Sequence, residues 1–255
     1  MRVILTIAGF DPSSGAGVSA DLKTIAAHGH YGIACITALT VQSTGGVRRV
    51  QPPTPDLVRE TLIELAADFE IAAVRIGMLG EEAIAKAVAD FLEEANLPHV
   101  VLDPILASST GAQLLDPAGV QVLKARLFAL AEVVTPNSVE AEFLTGIADP
   151  LAAARALQSL GAKNVIVTGG HTPSNTDLLL LASGETHSIA GERIDSNATH
   201  GTGCAHATAI ACNLASGMDI LRAATGAKKY VREAIAASRP LGHGKGPMNH
   251  LYRMS

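Results

Sequence analysis

Short apolar runs alternate with longer stretches whose apolar positions recur at helical spacing. Val3 to Ala8 is β-branched and apolar and stops at Gly9, which predicts a buried parallel strand. A polar turn, Gly9 to Gly17, follows, and then a helix from about Ser19 to His28. Gly32 to Val41 reads as a second buried strand, and Gln42-Ser43-Thr44-Gly45-Gly46 as a turn into a short Val47 to Val50 segment, together a small flap. Beyond Thr54, a fitting N-cap, Pro55, Leu57, Val58, Leu62, Leu65 and Ala66 repeat as one face of a helix. Ile71 to Met78 and His99 to Asp103 are strands around a Glu81 to Ala95 helix, and Val133 to Thr135, Asn164 to Thr168 and Asp177 to Leu181 continue the alternation. Two helices, about Gly203 to Ser216 and Asp219 to Ala237, precede a glycine-rich tail from Gly242 to Pro247.

Repeated strand-helix units imply an α/β three-layer sandwich, a mostly parallel central sheet with helices on both faces. Ligands then bind beyond the carboxyl ends of the strands. The turns after Ala8, Val41, Ile76, Asp103, Thr135 and Thr168 all begin there.

The chain is organised around Asn197 to Cys212. Gly201 and Gly203 flank Thr202 in a turn, and the small residues from Ala205 to Ala211 read as a slender helix. The first N–H groups of a helix have no partner within it and the peptide dipoles favour negative charge, so a phosphate fits at Gly201 to Cys204. A thiol at Cys204 has its thiolate favoured by the same dipole, which makes it a candidate base; the competing reading is a small buried residue. Asp21 is expected in the first turn of its helix, where capping alone explains it. Asn137 and Glu140, spaced Asn-x-x-Glu, form either a capping box or part of a metal site.

Composition narrows the partners. With 255 residues one domain spanning 1–255 is the default, and a net charge of -5 from 19 basic and 24 acidic residues gives no field for nucleic acid and no membrane patch. The absence of Trp and 3% aromatic content disfavour stacking on single strands. Three cysteines make no disulfide framework and fit a reducing cytoplasm, with Cys35 and Cys212 in the core. The apolar run at the N-terminus is too short for a signal peptide, and no stretch reaches membrane-spanning length, so a soluble cytoplasmic protein is expected. A nicotinamide fingerprint and a P-loop are both missing.

In their order, Thr6-Ile7-Ala8-Gly9, Asp11-Pro12-Ser13, Gly15-Ala16-Gly17, Ala20-Asp21-Leu22-Lys23-Thr24, Ile76-Gly77-Met78-Leu79, Asp103-Pro104, Thr135-Pro136-Asn137, Gly169-Gly170-His171, Thr199-His200-Gly201-Thr202-Gly203-Cys204 and Gly242-His243-Gly244 cover nearly the whole chain. This series resembles the hydroxymethylpyrimidine and phosphomethylpyrimidine kinases of thiamine biosynthesis, in the ribokinase-like superfamily. The resemblance implies ATP- and Mg²⁺-dependent phosphorylation of 4-amino-5-hydroxymethyl-2-methylpyrimidine and of its monophosphate, by a homodimer. It assigns Gly9, Asp21, Gln42, Met78 and Ile105 to the pyrimidine, Gly201, Thr202, Gly203 and Cys204 to the anion hole with Cys204 as base, and Asp103 and Glu140 to the metal. Asn137, Thr168, His171, His200 and Lys245 fall to the nucleotide. Many relatives carry lysine where this chain has Ser109 and Thr168, so two phosphate-facing cations are missing; His171, His200 and Lys245 are partial substitutes, and the second phosphorylation should suffer most. The rivals are a pyridoxal-type kinase and a non-catalytic pyrimidine sensor.

Overall fold

The computed structural model describes residues 1–108, 111–170 and 175–254. In chain order these form β1 (Val3–Phe10), α1 (Gly17–Ala27), β2 (Tyr31–Ser43), β3 (Gly46–Gln51), α2 (Pro55–Asp68), β4 (Ile71–Ile76), α3 (Glu82–Ala95) and β5 (Val100–Leu102). There follow α4 (Pro117–Val122), joined by a π-helical turn (Leu123–Leu127) to α5 (Phe128–Leu130), then β6 (Val133–Val134), α6 (Ser138–Thr145), α7 (Pro150–Ser159), β7 (Asn164–Val167), β8 (Asp177–Leu180) and β9 (Thr186–Ile189). Two long helices, α8 (Thr202–Ala215) and α9 (Ile220–Ala236), lead to the tail.

The strands make one sheet in the order β3-β2-β1-β4-β5-β6-β7-β8-β9. From β2 to β7 all neighbours are parallel, as the strand-helix alternation predicts. At either edge the pairing turns antiparallel, β3 on β2 and β8 and β9 beyond β7. The second of these departs from repeated strand-helix units. β9 is short, polar and exposed along Thr186-His187-Ser188, the composition of a blunted edge with no apolar signal.

Alternation along the strands sorts two cores. Leu5, Ile7, Val74, Ile76, Val100 and Leu102 pack beneath α2 and α3. Ile4, Ala73, Val101, Val133 and Ile166 face α8 and α9. Period-2 geometry sends Thr6 and Arg75, paired in register, to that second face. Helix α8 is buried from Cys204 to Leu214, and its alanines at 205, 207, 209 and 211 let it lie close to the sheet. Buried on every side, it needs no polar face.

β2 runs past the sheet to Ser43 and returns as β3, so the expected flap is a hairpin with a register shift at Val41/Gln42. The tail folds back on its tip. Lys245 N–H donates to Thr44 O at 3.1 Å and Gly244 N–H to Thr44 Oγ1 at 3.2 Å. A Cβ on Gly244 would lie 2.1 Å from Thr44 O. Among the described residues no helix is long and apolar enough to cross a membrane.

Candidate active site

Gly201 caps α8 in the left-handed region, φ 75°, and a Cβ there would lie 1.9 Å from Gly15 O. Only glycine fits. No side chain caps the helix, and its first internal bond is Ala205 N–H to Gly201 O, leaving the N–H groups of Thr202, Gly203 and Cys204 without an acceptor among the described residues. Among the described residues, nothing beyond the helix's own backbone and its chain neighbours lies within 4 Å of where a Gly203 Cβ would stand. The start of α8 thus offers the geometry an anion cradle needs: three N–H donors, an open approach and the positive end of a dipole.

Beneath the cradle lies a charge cluster that sequence reasoning missed. Arg75 is fully buried; its Nη1–H donates to Asp21 Oδ2 at 3.1 Å and its Nη2–H to Asp103 Oδ2 at 2.9 Å. Thr6 Oγ1–H donates to Asp21 Oδ2 at 2.6 Å and Thr208 Oγ1–H to Asp21 Oδ1 at 2.7 Å, so β1, β4 and α8 all converge on this carboxylate. The guanidinium folds back over Gly77, where a Cβ would be 1.9 Å from Nη1. The one available signal was an arginine inside the otherwise apolar Ile71–Ile76. Burial raises the Asp21 pKa, against the pull of Arg75 and the two hydroxyls. Burial also raises Asp103, with Asp21 adding to the rise and Arg75 opposing it.

Two expectations are corrected here. Asp21 does not lie in the first turn of α1, which holds no acidic residue; it sits one turn further in, and internal donors hold both its oxygens. Cys204 is in the first turn of α8 and adjoins Arg75, but its thiol is not lowered. Burial pushes it up to about 11, and Arg75 does not outweigh burial joined by the charges of Asp103 and Asp21. Cys35 and Cys212 are buried, as expected.

At the base of the flap the structure gathers an apolar floor. Ala38, Met78 and Leu114 form a buried cluster against which Val47, Val50 and Ile105 pack. A Cβ on Gly9 would meet Met78 Sδ at 2.9 Å. Thr37 Oγ1–H donates to Met78 O and holds the strand end. Gly9, Met78 and Ile105 are thus brought together, with the Gln42 amide on the same hairpin and Asp21 buried in the cluster under α8.

Asp103 follows β5, and Glu140 lies in the first turn of α6, which follows the neighbouring strand β6. The capping box of α6 is formed, Asn137 N–H to Glu140 Oε2 and Glu140 N–H to Asn137 Oδ1, each 2.9 Å. Burial and the Asp103 charge together raise Glu140 to about 8, while backbone N–H groups of Asn137 and Leu106 pull it down. A buried carboxylate held up by the charge of a second one fits a divalent cation. The described residues hold no group of three candidate ligands, so water would complete its shell. Thr168 lies beside Asn137, its N–H on Pro136 O, and brings no charge. Ser109 and His171 fall outside the described residues.

His200 and Lys245, expected at the phosphates, are held on the flap side. His200 Nε2 lies 2.8 Å from Asp11 Oδ2 and its backbone N–H donates to Gly246 O. Lys245 is anchored by its backbone to Thr44 with its side chain exposed, so the tail is joined to the flap. Asp11 organises the first loop by accepting N–H groups of Ser13, Gly15 and Ala16.

Comparison with known proteins agrees with this geometry. Residues 11–249 match the family model described as phosphomethylpyrimidine kinase. A hydroxymethylpyrimidine/phosphomethylpyrimidine kinase of Haemophilus influenzae is 41% identical over 260 residues, 98% of this chain and 97% of that protein. The thiamine biosynthesis bifunctional protein ThiED of Geobacter sulfurreducens is 43% identical over 97% of this chain, which spans about half, 52%, of that protein. Among solved structures, the ADP complex of Bacillus subtilis pyridoxal kinase superposes with a TM-score of 0.90 at 32% identity, covering 100% of both chains, and carries the ribokinase-like fold. With the family model over residues 11–249 and relatives of about 40% identity over nearly the whole length, the chain belongs to the phosphomethylpyrimidine kinase family.

Proposed function

We propose that the chain transfers the terminal phosphoryl group of ATP to the hydroxymethyl oxygen of 4-amino-5-hydroxymethyl-2-methylpyrimidine, and then phosphorylates the resulting monophosphate, within thiamine biosynthesis. The observation that carries this is the uncapped start of α8, with three free N–H groups, set directly over Arg75 and Cys204. Phosphoryl transfer demands positioning and charge stabilisation more than covalent chemistry, and fixed N–H dipoles supply both. The ring rests on the floor of Gly9, Met78 and Ile105, and Gln42 meets its polar edge. Cys204, in its thiolate form facing Arg75, takes the hydroxyl proton and becomes the thiol as the substrate oxygen attacks phosphorus. Asp103 and Glu140 would hold Mg²⁺, which would supply positive charge against that of the phosphates. Asp21 holds Arg75 in place, and Asn137 and Thr168 border the nucleotide.

Thr168, beside Asn137, brings no charge of its own to this strand end, so the second step is the slower one. Leu39 and Val41 stand exposed along β2 and support a homodimer joined through this hairpin. A pyridoxal-type activity is the second reading, favoured by the likeness to the B. subtilis pyridoxal kinase. The test is ADP formation from ATP and Mg²⁺ with the hydroxymethylpyrimidine, its monophosphate and pyridoxal in parallel, for wild type and Cys204→Ala. Turnover of the pyrimidine that collapses in Cys204→Ala supports the kinase with a cysteine base. Turnover of pyridoxal alone moves the assignment to the second reading, and binding without any turnover to a sensor.

A further inference from the structure

Gln42 sits where β2 and β3 shift register, with its Oε1 3.1 Å from Thr40 Oγ1 and its Nε2 3.3 Å from His200 Nε2, and the two ends of such an amide are told apart only by their partners. Counting protons decides which end of the amide faces which neighbour. His200 Nε2 lies 2.8 Å from Asp11 Oδ2. A carboxylate only accepts, so Nε2 carries a proton, and the Gln42 atom facing it must also be an acceptor: the carbonyl oxygen. At the other end Thr40 owns a single proton, and its hydroxyl stands 2.9 Å from the Phe10 carbonyl, which again only accepts. Towards Gln42 the Thr40 oxygen is therefore an acceptor and takes an amide N–H. The two ends demand the same orientation independently of one another.

We infer that Thr40 and His200, the latter held by Asp11, are specificity-determining positioning residues that lock the Gln42 amide with its oxygen towards His200 and its nitrogen towards Thr40. Each half of the amide is then half used. One N–H and one oxygen lone pair remain, which suit a ligand edge carrying an acceptor next to a donor. The ring nitrogen and adjacent amino group of a 4-aminopyrimidine form such an edge. A 3-hydroxypyridine aldehyde offers an oxygen pair without an amino group, and gains less from a fixed amide. The hub is rigid: Asp11 also accepts from Ser13, Gly15 and Ala16, and a Cβ on Gly15 would lie 2.2 Å from His200 Cδ2, so the imidazole rests directly on the loop. This inference rests on the aminopyrimidine reading above.

The test measures kcat and KM for the hydroxymethylpyrimidine, for pyridoxal and for ATP, with direct binding of the pyrimidine alongside, in the full chain carrying Thr40→Val, Thr40→Ser or His200→Ala. Thr40→Val and His200→Ala should each raise KM for the pyrimidine about tenfold, the worth of roughly one oriented hydrogen bond, with kcat and KM for ATP changing far less. The preference for pyrimidine over pyridoxal should narrow by a similar factor, and Thr40→Ser, which keeps the hydroxyl, should restore it. Equal losses for both acceptors, or a Thr40→Ser as impaired as Thr40→Val, would mean a structural role only and overturns the relay. Unchanged pyrimidine KM in folded Thr40→Val and His200→Ala overturns it as well, with the kinase assignment intact. A wild type that neither binds nor turns over the pyrimidine overturns both.

Discussion

Gly77→Ala should destabilise this protein severely although alanine suits the backbone there. The glycine does not occupy the left-handed region, so no strain of that kind arises. Its constraint is space. A Cβ would stand 1.9 Å from Arg75 Nη1, 2.7 Å from Cζ and 3.0 Å from Nη2, whereas carbon and nitrogen tolerate about 3.5 Å. The guanidinium must therefore move by an ångström or more, which is comparable to the margin on its bonds of 3.1 Å to Asp21 and 2.9 Å to Asp103. Arg75 has no exposed surface and cannot swing into water. Breaking a buried pair in this way costs about 3–5 kcal/mol, because Asp21 keeps a charge with nothing to balance it. Against a total stability of roughly 5–15 kcal/mol, that is a large fraction. Urea denaturation of Gly77→Ala, Arg75→Lys and the double variant gives the decisive comparison. A lysine ammonium is slimmer than the planar guanidinium and leaves room for the methyl group, so Gly77→Ala should cost at least about 1 kcal/mol less in the lysine background. A Gly77→Ala within about 0.5 kcal/mol of wild type, or strict additivity in the double variant, would refute the steric account.

Gly203→Ala is the converse case: open space receives its Cβ, so stability should hold or rise by a few tenths of a kcal/mol while phosphoryl transfer falls as the methyl group crowds the anion; a thermal melt and an ADP assay check both, and unchanged turnover would remove Gly203 from the cradle. With its thiol pushed up to about 11, Cys204 holds roughly one thiolate in a thousand at pH 8, so iodoacetamide should label the folded, ligand-free protein far more slowly than a free cysteine, at a rate still climbing above pH 9; rapid labelling at pH 8 would contradict the burial argument. His250 is buried with its pKa lowered to about 4, chiefly by burial, so the unfolded chain takes up a proton between about 6.5 and 4 that the folded chain refuses. Stability is then lost as pH falls through that window, by an amount on the order of 3 kcal/mol, and His250→Asn should flatten that part of the acid limb relative to wild type; parallel curves would show that His250 is not the group responsible.

The sequence by itself determined the local elements and their order. Apolar runs such as Val3 to Ala8 are buried parallel strands because both faces of such a sheet are covered, and Gly201 opens a helix because glycine takes the left-handed backbone of that turn without strain. Asn137 and Glu140 are three residues apart, so their capping box was legible without tertiary information. The ordered motifs carried the family. Long-range proximity was decided only in three dimensions. That Arg75 meets Asp21, Asp103 and Cys204 depends on strand register and on which face of β4 looks towards α8, and no spacing in the chain encodes that partnership. The dipole at Cys204 is a local property and was readable, but its pKa is a sum over burial and neighbouring carboxylates, and those reversed the sign. Thr44 and Gly244 lie 200 residues apart, and only the closed sheet brings the tail onto the flap. Short-range geometry follows from residue type and backbone freedom; charge, desolvation and specificity follow from which surfaces the fold presses together.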